Sequence, residues 1–397
     1  MPYKTPEIEV NPVTLEWART SAGFSYEDIA RCLGVATIEV TTWARTTQPI
    51  SLRVRQLEDL ADCLRRPLAA FLLATPPSEP KLPQDFRRSH HQNIPLSSDL
   101  RFAIRRARRL QRIAREILEE MDLPSLSNLP QASLQQKPEI IAKELRELFG
   151  ITVKDQIGWR DQYQALKKWR DMLEKHSVLT FQSDFPRTEA QGFSLSENNP
   201  YAVIVSSQDP PTARCFTLFH ELGHLLLREG GICLTDLDYP HVSDLSAKIE
   251  DWCHQFAEAL LIDEDTLRAA PEISTIVKQE GDYLQSLKAL AHVFKVSQAV
   301  ILFRMWHCHL ISETRFWHEY NNYLDSLEDF QAKVKEKGKE KKGGPSPSRK
   351  AVQERGRFLT RTILDALDRQ IIGYTEVADY LGVRLQHLDK IRQIAHS

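Results

Sequence analysis

Two histidines with a glutamate between them lie in a strongly apolar stretch of the chain. His220 and His224 are four residues apart, and Glu221 follows the first of them in the run HELGH. On a helix this spacing places both imidazoles on one face, so that both can reach a single ion. Apolar residues surround the motif at Phe216, Phe219, Leu222, Leu225, Leu226 and Leu227, and Pro210 and Pro211 precede it as an entry. A buried His-Glu-His group without a ligand is costly, so the pattern predicts a metal site in the core.

The chemistry of these residue types points to zinc. Neutral imidazole nitrogens bind Zn2+ well, and catalytic zinc sites keep one position open for water. Glu221 is placed to take a proton from that water as it attacks a carbonyl carbon, and to deliver it to the leaving amine. The motif therefore predicts Zn2+ as cofactor, His220 and His224 as ligands and Glu221 as the general base of a peptidase. The alternative is a hydrogen-bonded core cluster.

A third protein ligand is required, and the predicted helix over residues 246–262 offers three candidates. Glu250, His254 and Glu258 follow one another at intervals of one turn, so they share a face. We select Glu250, because a carboxylate on a following helix completes a site of two histidines and one glutamate. The alternative for Glu250 is a solvated helix acid, and His254 and Glu258 stay open as other ligands.

Composition and charge fit a soluble intracellular protein. The 397 residues are enough for two or three domains, and the net charge of −2 does not draw nucleic acid to the molecule as a whole. The six cysteines are scattered without a CxxC pair, which argues against a disulfide framework and suits a reducing cytosol. No secretory signal is visible, and the apolar run over residues 68–74 is too short to cross a bilayer. We expect a cytoplasmic location without membrane contact.

Composition shifts divide the chain into five segments, and the expected fold class is α+β, mostly helical. In the first segment Ser25 caps one helix and Gly34 ends it. A proline-rich run with a basic amphipathic helix follows, and then a larger domain. The run KVKEKGKEKKGGPSPSRK predicts a flexible basic linker before a short helical C-terminal tail. The segments are 1–75, 76–130, 131–332, 333–350 and 351–397.

A weak repeat marks two or three helical hairpins. Each copy places an apolar helix before a tight turn and a second helix, which is the spacing of a helix-turn-helix. Any helical hairpin needs a small residue, a breaker and an apolar anchor, and we favour this plain interpretation for the last copy. The copies are Ala30-x-x-Leu33-Gly34-Val35, Ala378-x-x-Leu381-Gly382-Val383 and, more loosely, Ala291-x-x-Phe294-Lys295-Val296.

The first hairpin is a candidate contact to double-stranded DNA. In a helix-turn-helix the second helix enters the major groove, and here its candidate contacts are Thr37, Thr41, Thr42 and Arg45. Residues 1–75 carry eight basic and nine acidic residues, which is a poor balance for binding phosphates. The alternative is a module for homodimerisation or partner docking. A stripe of arginines on the predicted helix could supply the missing positive charge. We favour the alternative that these arginines form a solvated face or pair with acids elsewhere in the chain. The stripe comprises Arg101, Arg105, Arg108, Arg112 and Arg115.

Around the metal motif the chain resembles the ImmA/IrrE family of metallopeptidases. The likeness rests on the stretch ARCFTLF leading into HELGHLLL and on the later stretch IE-x-x-C-x-x-FA, and it extends over about residues 190–310. The resemblance implies a zincin-like fold and makes Glu250 the third zinc ligand. The chain departs from the family at His254, usually asparagine, and at Asp263, often proline. Residues 15–88 are similar to the XRE-type helix-turn-helix that often precedes this peptidase.

The resemblance implies that such proteins cut specific regulators, often DNA-binding repressors, in phage, mobile-element or stress circuits. We therefore expect proteolysis of a protein partner. The alternative is a DNA-binding regulator or antitoxin that keeps the zinc fold as a scaffold. The intact Glu221 favours the enzyme, since a scaffold needs only the metal ligands. The strand run over residues 201–205 is expected beside the metal helix, where a substrate peptide pairs along its edge.

Further residues are candidates for supporting roles. His254 and Thr217 could orient the ligands or the base. Tyr239, His241 and Arg187 could stabilise the oxyanion of a tetrahedral intermediate. The sequence does not select among them.

Overall fold

The computed structural model describes residues 6–85, 95–124, 129–233, 245–278, 283–336 and 344–397. Most of these residues are helical and two small sheets complete the regular structure, in agreement with the expected α+β class. The chain forms two compact units, which we call the front unit and the main unit. The front unit holds the described residues of Met1–Leu82 and Ser89–Arg106, and the main unit those of Pro83–Arg88 and Ala107–Ser397.

The front unit consists of short helices and an antiparallel pair of strands. Its elements are β1 (Glu7–Val10), α1 (Pro12–Ala22), α2 (Tyr26–Leu33), α3 (Thr37–Arg45), β2 (Ile50–Arg53), α4 (Val54–Cys63), a 3-10 turn (Leu68–Leu72) and the beginning of α5 (Ser98–Glu120), which contributes residues to both units. The Ser25 hydroxyl accepts a hydrogen bond from the N–H of Asp28 and so caps α2. Gly34 ends this helix with a left-handed φ of 64°. The sequence predicted both ends of α2 correctly.

The sequence argued against a disulfide framework, and the described residues contain one disulfide that it did not predict. Cys32 near the end of α2 and Cys63 at the end of α4 are joined by a disulfide, with their Cα atoms 6.3 Å apart. The two residues are 31 positions apart, and no local spacing signals such a pair. The packing of α2 against α4 brings them together.

The main unit contains a mixed five-stranded sheet and the helices that pack around it. Its elements are β3 (Gln84–Asp85), α6 (Pro138–Phe149), α7 (Val153–Ile157), α8 (Gln162–Lys175), β4 (Leu179–Ser183), β5 (Gly192–Leu195), β6 (Ala202–Ser206), α9 (Pro211–Leu227), β7 (Gly231–Cys233), α10 (Leu245–Leu261), α11 (Glu264–Ala269), α12 (Pro271–Lys278), α13 (Tyr283–Phe294), α14 (Gln298–His307), α15 (Glu313–Glu336), α16 (Pro347–Arg355), α17 (Arg357–Asp368), α18 (Tyr374–Leu381), a 3-10 turn (Leu385–His387) and α19 (Leu388–His396).

The order of the strands corrects one expectation about the sheet. The order is β3-β7-β5-β6-β4, with β5 antiparallel to both of its neighbours. Helix α9 packs on β5 and β6, so the strand run around 201–205 does lie beside the metal helix. However, β6 is hydrogen-bonded to β5 on one side and to β4 on the other. A peptide cannot add along β6, because its backbone groups already have partners on both sides.

Helices occupy both ends of the predicted linker over residues 333–350. Residues 333–336 belong to α15 and residues 347–350 to α16, while residues 337–343 lie outside the described part of the chain. The C-terminal helices pack within the main unit: α16 contacts β4 and α17 contacts α8. In the described residues no single helix is long and apolar enough to cross a membrane, and only the pair α13 and α14, bent by 95°, meets that test jointly.

Candidate metal centre

Helix α9 carries the metal motif through the core of the main unit. It begins at Pro211, as the two prolines in the sequence indicated, and ends where Arg228 adopts a left-handed φ of 61°. The side chains of His220, Glu221 and His224 are fully buried. The apolar residues of this helix join the main hydrophobic cluster. The apolar packing of α9 therefore holds the side chains of His220, Glu221 and His224 in place inside the core.

Helix α10 crosses α9 at very short distance. A Cβ atom on Gly223 would lie only 3.0 Å from Cys253 Sγ and 3.2 Å from Cys253 Cα. Contacts this short are rare for real Cβ atoms, so a glycine at this point lets the two helices approach closely. The crossing lies one turn after Glu250 on α10, and it brings that carboxylate against the two histidines.

The ligand atoms of His220, His224 and Glu250 converge. The two Nε2 atoms are 3.2 Å apart, His220 Nε2 is 3.1 Å from Glu250 Oε2, and His224 Nε2 is 3.2 Å from Glu250 Oε1. Within the described residues these three form the group that could hold a metal ion, with all ligand atoms inside 4.8 Å of one another. The geometry thus brings together the two histidines of the motif and the selected glutamate.

The charge state of Glu250 suits a metal ligand. Burial raises the pKa of this carboxyl, but the adjacent imidazoles of His220 and His224 outweigh burial and hold the pKa well below its usual range. The carboxylate is therefore ionised at neutral pH. Burial raises the pKa of the neighbouring Cys253 thiol, so Cys253 stays protonated under the same conditions.

The two other candidates on α10 do not join this group. The ring of His254 packs edge-on against His220, with 5.5 Å between centroids, and against Phe216 at 4.8 Å. Glu258 Oε2 is 2.7 Å from Nδ1 of His307, so its carboxyl group is engaged in a buried hydrogen-bonded pair. His254 is therefore a neighbour of the ligands, and Glu258 belongs to a separate interaction that links α10 to α14.

Side chains that the sequence did not single out hold the end of α10. Its last carbonyl oxygens accept hydrogen bonds from buried side chains of three other helices. The pairs are Arg146 with Leu260 at 2.6 Å, Gln156 with Leu261 at 2.9 Å and Arg304 with Ile262 at 3.2 Å. These bonds satisfy carbonyl groups that a helix leaves free at its C-terminus. They fix the helix that carries Glu250, and no local sequence pattern marks them.

The remaining supporting candidates have other surroundings. Thr217 is fully buried one turn before Glu221, and its methyl group points toward Gly192 at the start of β5. Arg187 Nε is 3.3 Å from Asp209 Oδ1, so its guanidinium forms an ion pair. Tyr239 and His241 lie outside the described residues.

The candidate DNA contacts of the front unit lie on α3. Thr42 and Arg45 are exposed, whereas Thr37 and Thr41 are partly buried. The hydroxyls of Thr41 and Thr42 both donate to the carbonyl of Ile38. A role in DNA contact stays a prediction for these residues.

The arginines of α5 make contacts within their own units. In the front unit Arg105 donates to the carbonyl of Leu64 at 2.9 Å, and burial lowers its pKa to about 10. In the main unit Arg108 pairs with Glu197 at 2.7 Å, and Arg115 lies 3.8 Å from Glu119. These contacts agree with the interpretation favoured from the sequence, in which the arginines of the stripe are solvated or pair with other groups of the chain.

One family model matches the chain, and it covers the metal centre. The model is Peptidase M78, described as the IrrE N-terminal-like domain, and it matches residues 173–305. No curated protein matches the chain. The matched region runs from the end of α8 to α14 and contains the convergent group of His220, His224 and Glu250. The match supports an ImmA/IrrE peptidase domain in this part of the chain and suggests a metallopeptidase-type function.

Proposed function

We propose that the main unit is a zinc-dependent endopeptidase that cleaves a specific regulatory protein. The observation that carries the proposal is the convergence of two imidazole nitrogens and a carboxylate at 3.1–3.2 Å, next to Glu221. In a tetrahedral zinc site with bonds of about 2.0–2.1 Å, neighbouring donor atoms lie about 3.3 Å apart. The spacing and the donor types of His220, His224 and Glu250 therefore fit zinc.

The chain supplies the remaining parts of peptide hydrolysis. When bound, zinc would polarise the scissile carbonyl and make the attacking water more acidic. Glu221 accepts the proton of that water on its carboxylate and passes it to the nitrogen of the leaving amine. Burial of α9 keeps bulk water away from this carboxylate, which strengthens its interaction with charge that develops in the reaction.

The substrate class rests on the family resemblance. It implies a protein partner of regulatory type, such as a DNA-binding repressor or an antitoxin-type protein. A scaffold that only binds DNA would need the ligands but no base, and the buried Glu221 beside the ligands favours the enzyme. Contact of the front unit with DNA, and its homodimerisation, are separate expectations that the peptidase does not require.

Metal analysis of the purified full-length protein tests the site. We expect about one zinc per chain. We expect His220→Ala and Glu250→Ala each to weaken zinc binding by more than about 100-fold, which is more than the loss of a residue that only contacts a ligand would cause. His254→Ala is the matched control on α10 and should retain the metal. Wild-type protein that stays metal-free after addition of zinc would contradict the proposal. A loss at His254 as large as at Glu250 would move the third ligand.

A further inference from the structure

The strand that borders the metal helix begins with a glycine in contact with the base. A Cβ atom on Gly192 would lie 2.5 Å from Thr217 Cγ2, 2.9 Å from the carbonyl oxygen of Ile204 and 3.1 Å from Glu221 Oε1. Real Cβ atoms do not make contacts below 3.0 Å. Gly192 is not among the glycines with a left-handed φ. Position 192 therefore requires a glycine because a side chain has no room there, and not because of its backbone conformation.

The neighbours of Gly192 have little freedom to move aside. Thr217 and Glu221 are fully buried and lie one turn apart on α9. The carbonyl of Ile204 belongs to β6, which is paired on both sides in the middle of the sheet. A methyl group at position 192 therefore requires β5 to move away from α9 and from the Ile204 carbonyl, and this movement changes the space next to the Glu221 carboxylate. The three atoms nearest to this methyl group belong to Thr217, Ile204 and Glu221, and none of them is one of the three proposed ligand atoms.

We propose that Gly192 is a positioning residue that sets the direction of the Glu221 carboxylate. The absence of a side chain lets the first residue of β5 lie directly against Oε1, so that the strand backbone forms one wall of the space that the carboxylate occupies. The strand thereby limits the directions in which the Glu221 carboxylate can turn. This inference rests on the proposed role of Glu221 as the base.

The experiment measures binding of acetohydroxamate to the zinc-loaded full-length protein. This small ligand binds zinc through its two oxygens and can donate a hydrogen bond to an adjacent carboxylate, so its affinity reports the placement of Glu221. We expect Gly192→Ala to weaken acetohydroxamate binding about tenfold, the effect of losing one charge-assisted hydrogen bond. Zinc affinity should stay within about twofold of the wild type, since the ligands are untouched. Gly158→Ala is the matched control, because a Cβ there meets only ordinary contacts at 3.4 Å.

A double-mutant cycle separates this effect from a general loss of packing. If Gly192 acts through Glu221, then Gly192→Ala should cause no further loss of acetohydroxamate binding in a Glu221→Gln background. An equal loss in both backgrounds, or unchanged binding in the single variant, would overturn the inference. Should Gly192→Ala not fold, the pair Gly192→Ala with Thr217→Ser removes the nearest atom, Cγ2, and enters the same cycle. Unchanged binding in Glu221→Gln alone would instead count against the proposed function.

Discussion

At the scale of single residues, the candidate metal centre shows which side chains a sequence can predict to lie together. The spacing of His220 and His224 already places both imidazoles on one face, so the motif could be interpreted without a structure. Glu250 was selected as the carboxylate that completes a site with two histidines, and the family resemblance strengthened this choice. Spacing alone left three candidates on one helical face, because it does not show what faces them. Gly192 and Gly223 gave no signal, since the need for a glycine arises only where two elements approach closely.

The buried pair of Glu258 and His307 predicts a dependence of stability on pH. Burial lowers the pKa of His307, but the Glu258 carboxylate outweighs it and leaves the pKa raised. Burial raises the pKa of Glu258, and the imidazole only partly opposes it. The folded chain thus binds these protons more tightly than the unfolded chain. The contribution of His307 is fully present below the unfolded pKa of histidine, about 6.5, and is lost as pH rises through the folded value. The contribution of Glu258 begins to be lost at lower pH, above the unfolded pKa of a glutamic acid, about 4.3.

Thermal unfolding of the metal-free protein measures this dependence. We expect Tm to fall as pH rises above about 6.5, and the fall to be shallower when Glu258→Gln is combined with His307→Gln. His396→Gln is the control, because that histidine is exposed at the C-terminus. A pH profile identical in the double variant and the wild type would show that the pair does not exchange protons on unfolding.

At the scale of elements, helix ends were predictable and the order of strands was not. All three hairpins of the repeat end their first helix with a left-handed residue, and the next N–H bonds to the carbonyl five residues earlier. The left-handed residues are Gly34, Lys295 and Gly382, and the bonds are Val35 to Ala30, Val296 to Ala291 and Val383 to Ala378. In α14, however, most residues are buried. The hairpin formed by α13 and α14, which is the loosest copy of the repeat, therefore belongs to the core of the main unit. The position of β6 inside the sheet depends on contacts distant in sequence, which local patterns do not report.

Glu174 ties the C-terminal helices to α8. Its Oε2 accepts from the backbone N–H of Arg357 at 3.0 Å and of Phe358 at 2.8 Å, at the first turn of α17. Gly356, with a left-handed φ of 76°, leaves room for this carboxylate. Because the side chain of Glu174 is buried, its removal leaves two helix donors without their partner.

We expect Glu174→Ala to lower the free energy of unfolding of the main unit by about 2 kcal/mol or more. Asp368→Ala on α17 is the control, because its ion pair with Arg392 is exposed and should contribute less than about 1 kcal/mol. Chemical denaturation followed by circular dichroism gives both values. If Glu174→Ala changes stability no more than the control does, the C-terminal helices do not depend on this contact.

At the scale of the whole molecule, the chain combines a front unit with a main unit that includes its C-terminal helices. The sequence predicted a helical front and a larger domain around the metal motif. It also predicted a flexible linker before a short helical C-terminal tail, because a basic run with lysine, glycine and proline is typical of flexible segments. The structure packs those last helices into the main unit, since α16 contacts β4.

The measurement that tests the central claim most directly compares new protein N-termini in cells that contain wild-type protein or Glu221→Gln. The amide of glutamine cannot take a proton from water, while the ligands His220, His224 and Glu250 remain. We predict that a small set of N-termini, in one or a few regulatory proteins, appears with the wild type and is absent with Glu221→Gln, although both proteins bind zinc equally. The same N-termini at the same abundance in both samples would contradict the account of this chain as a peptidase with Glu221 as its base.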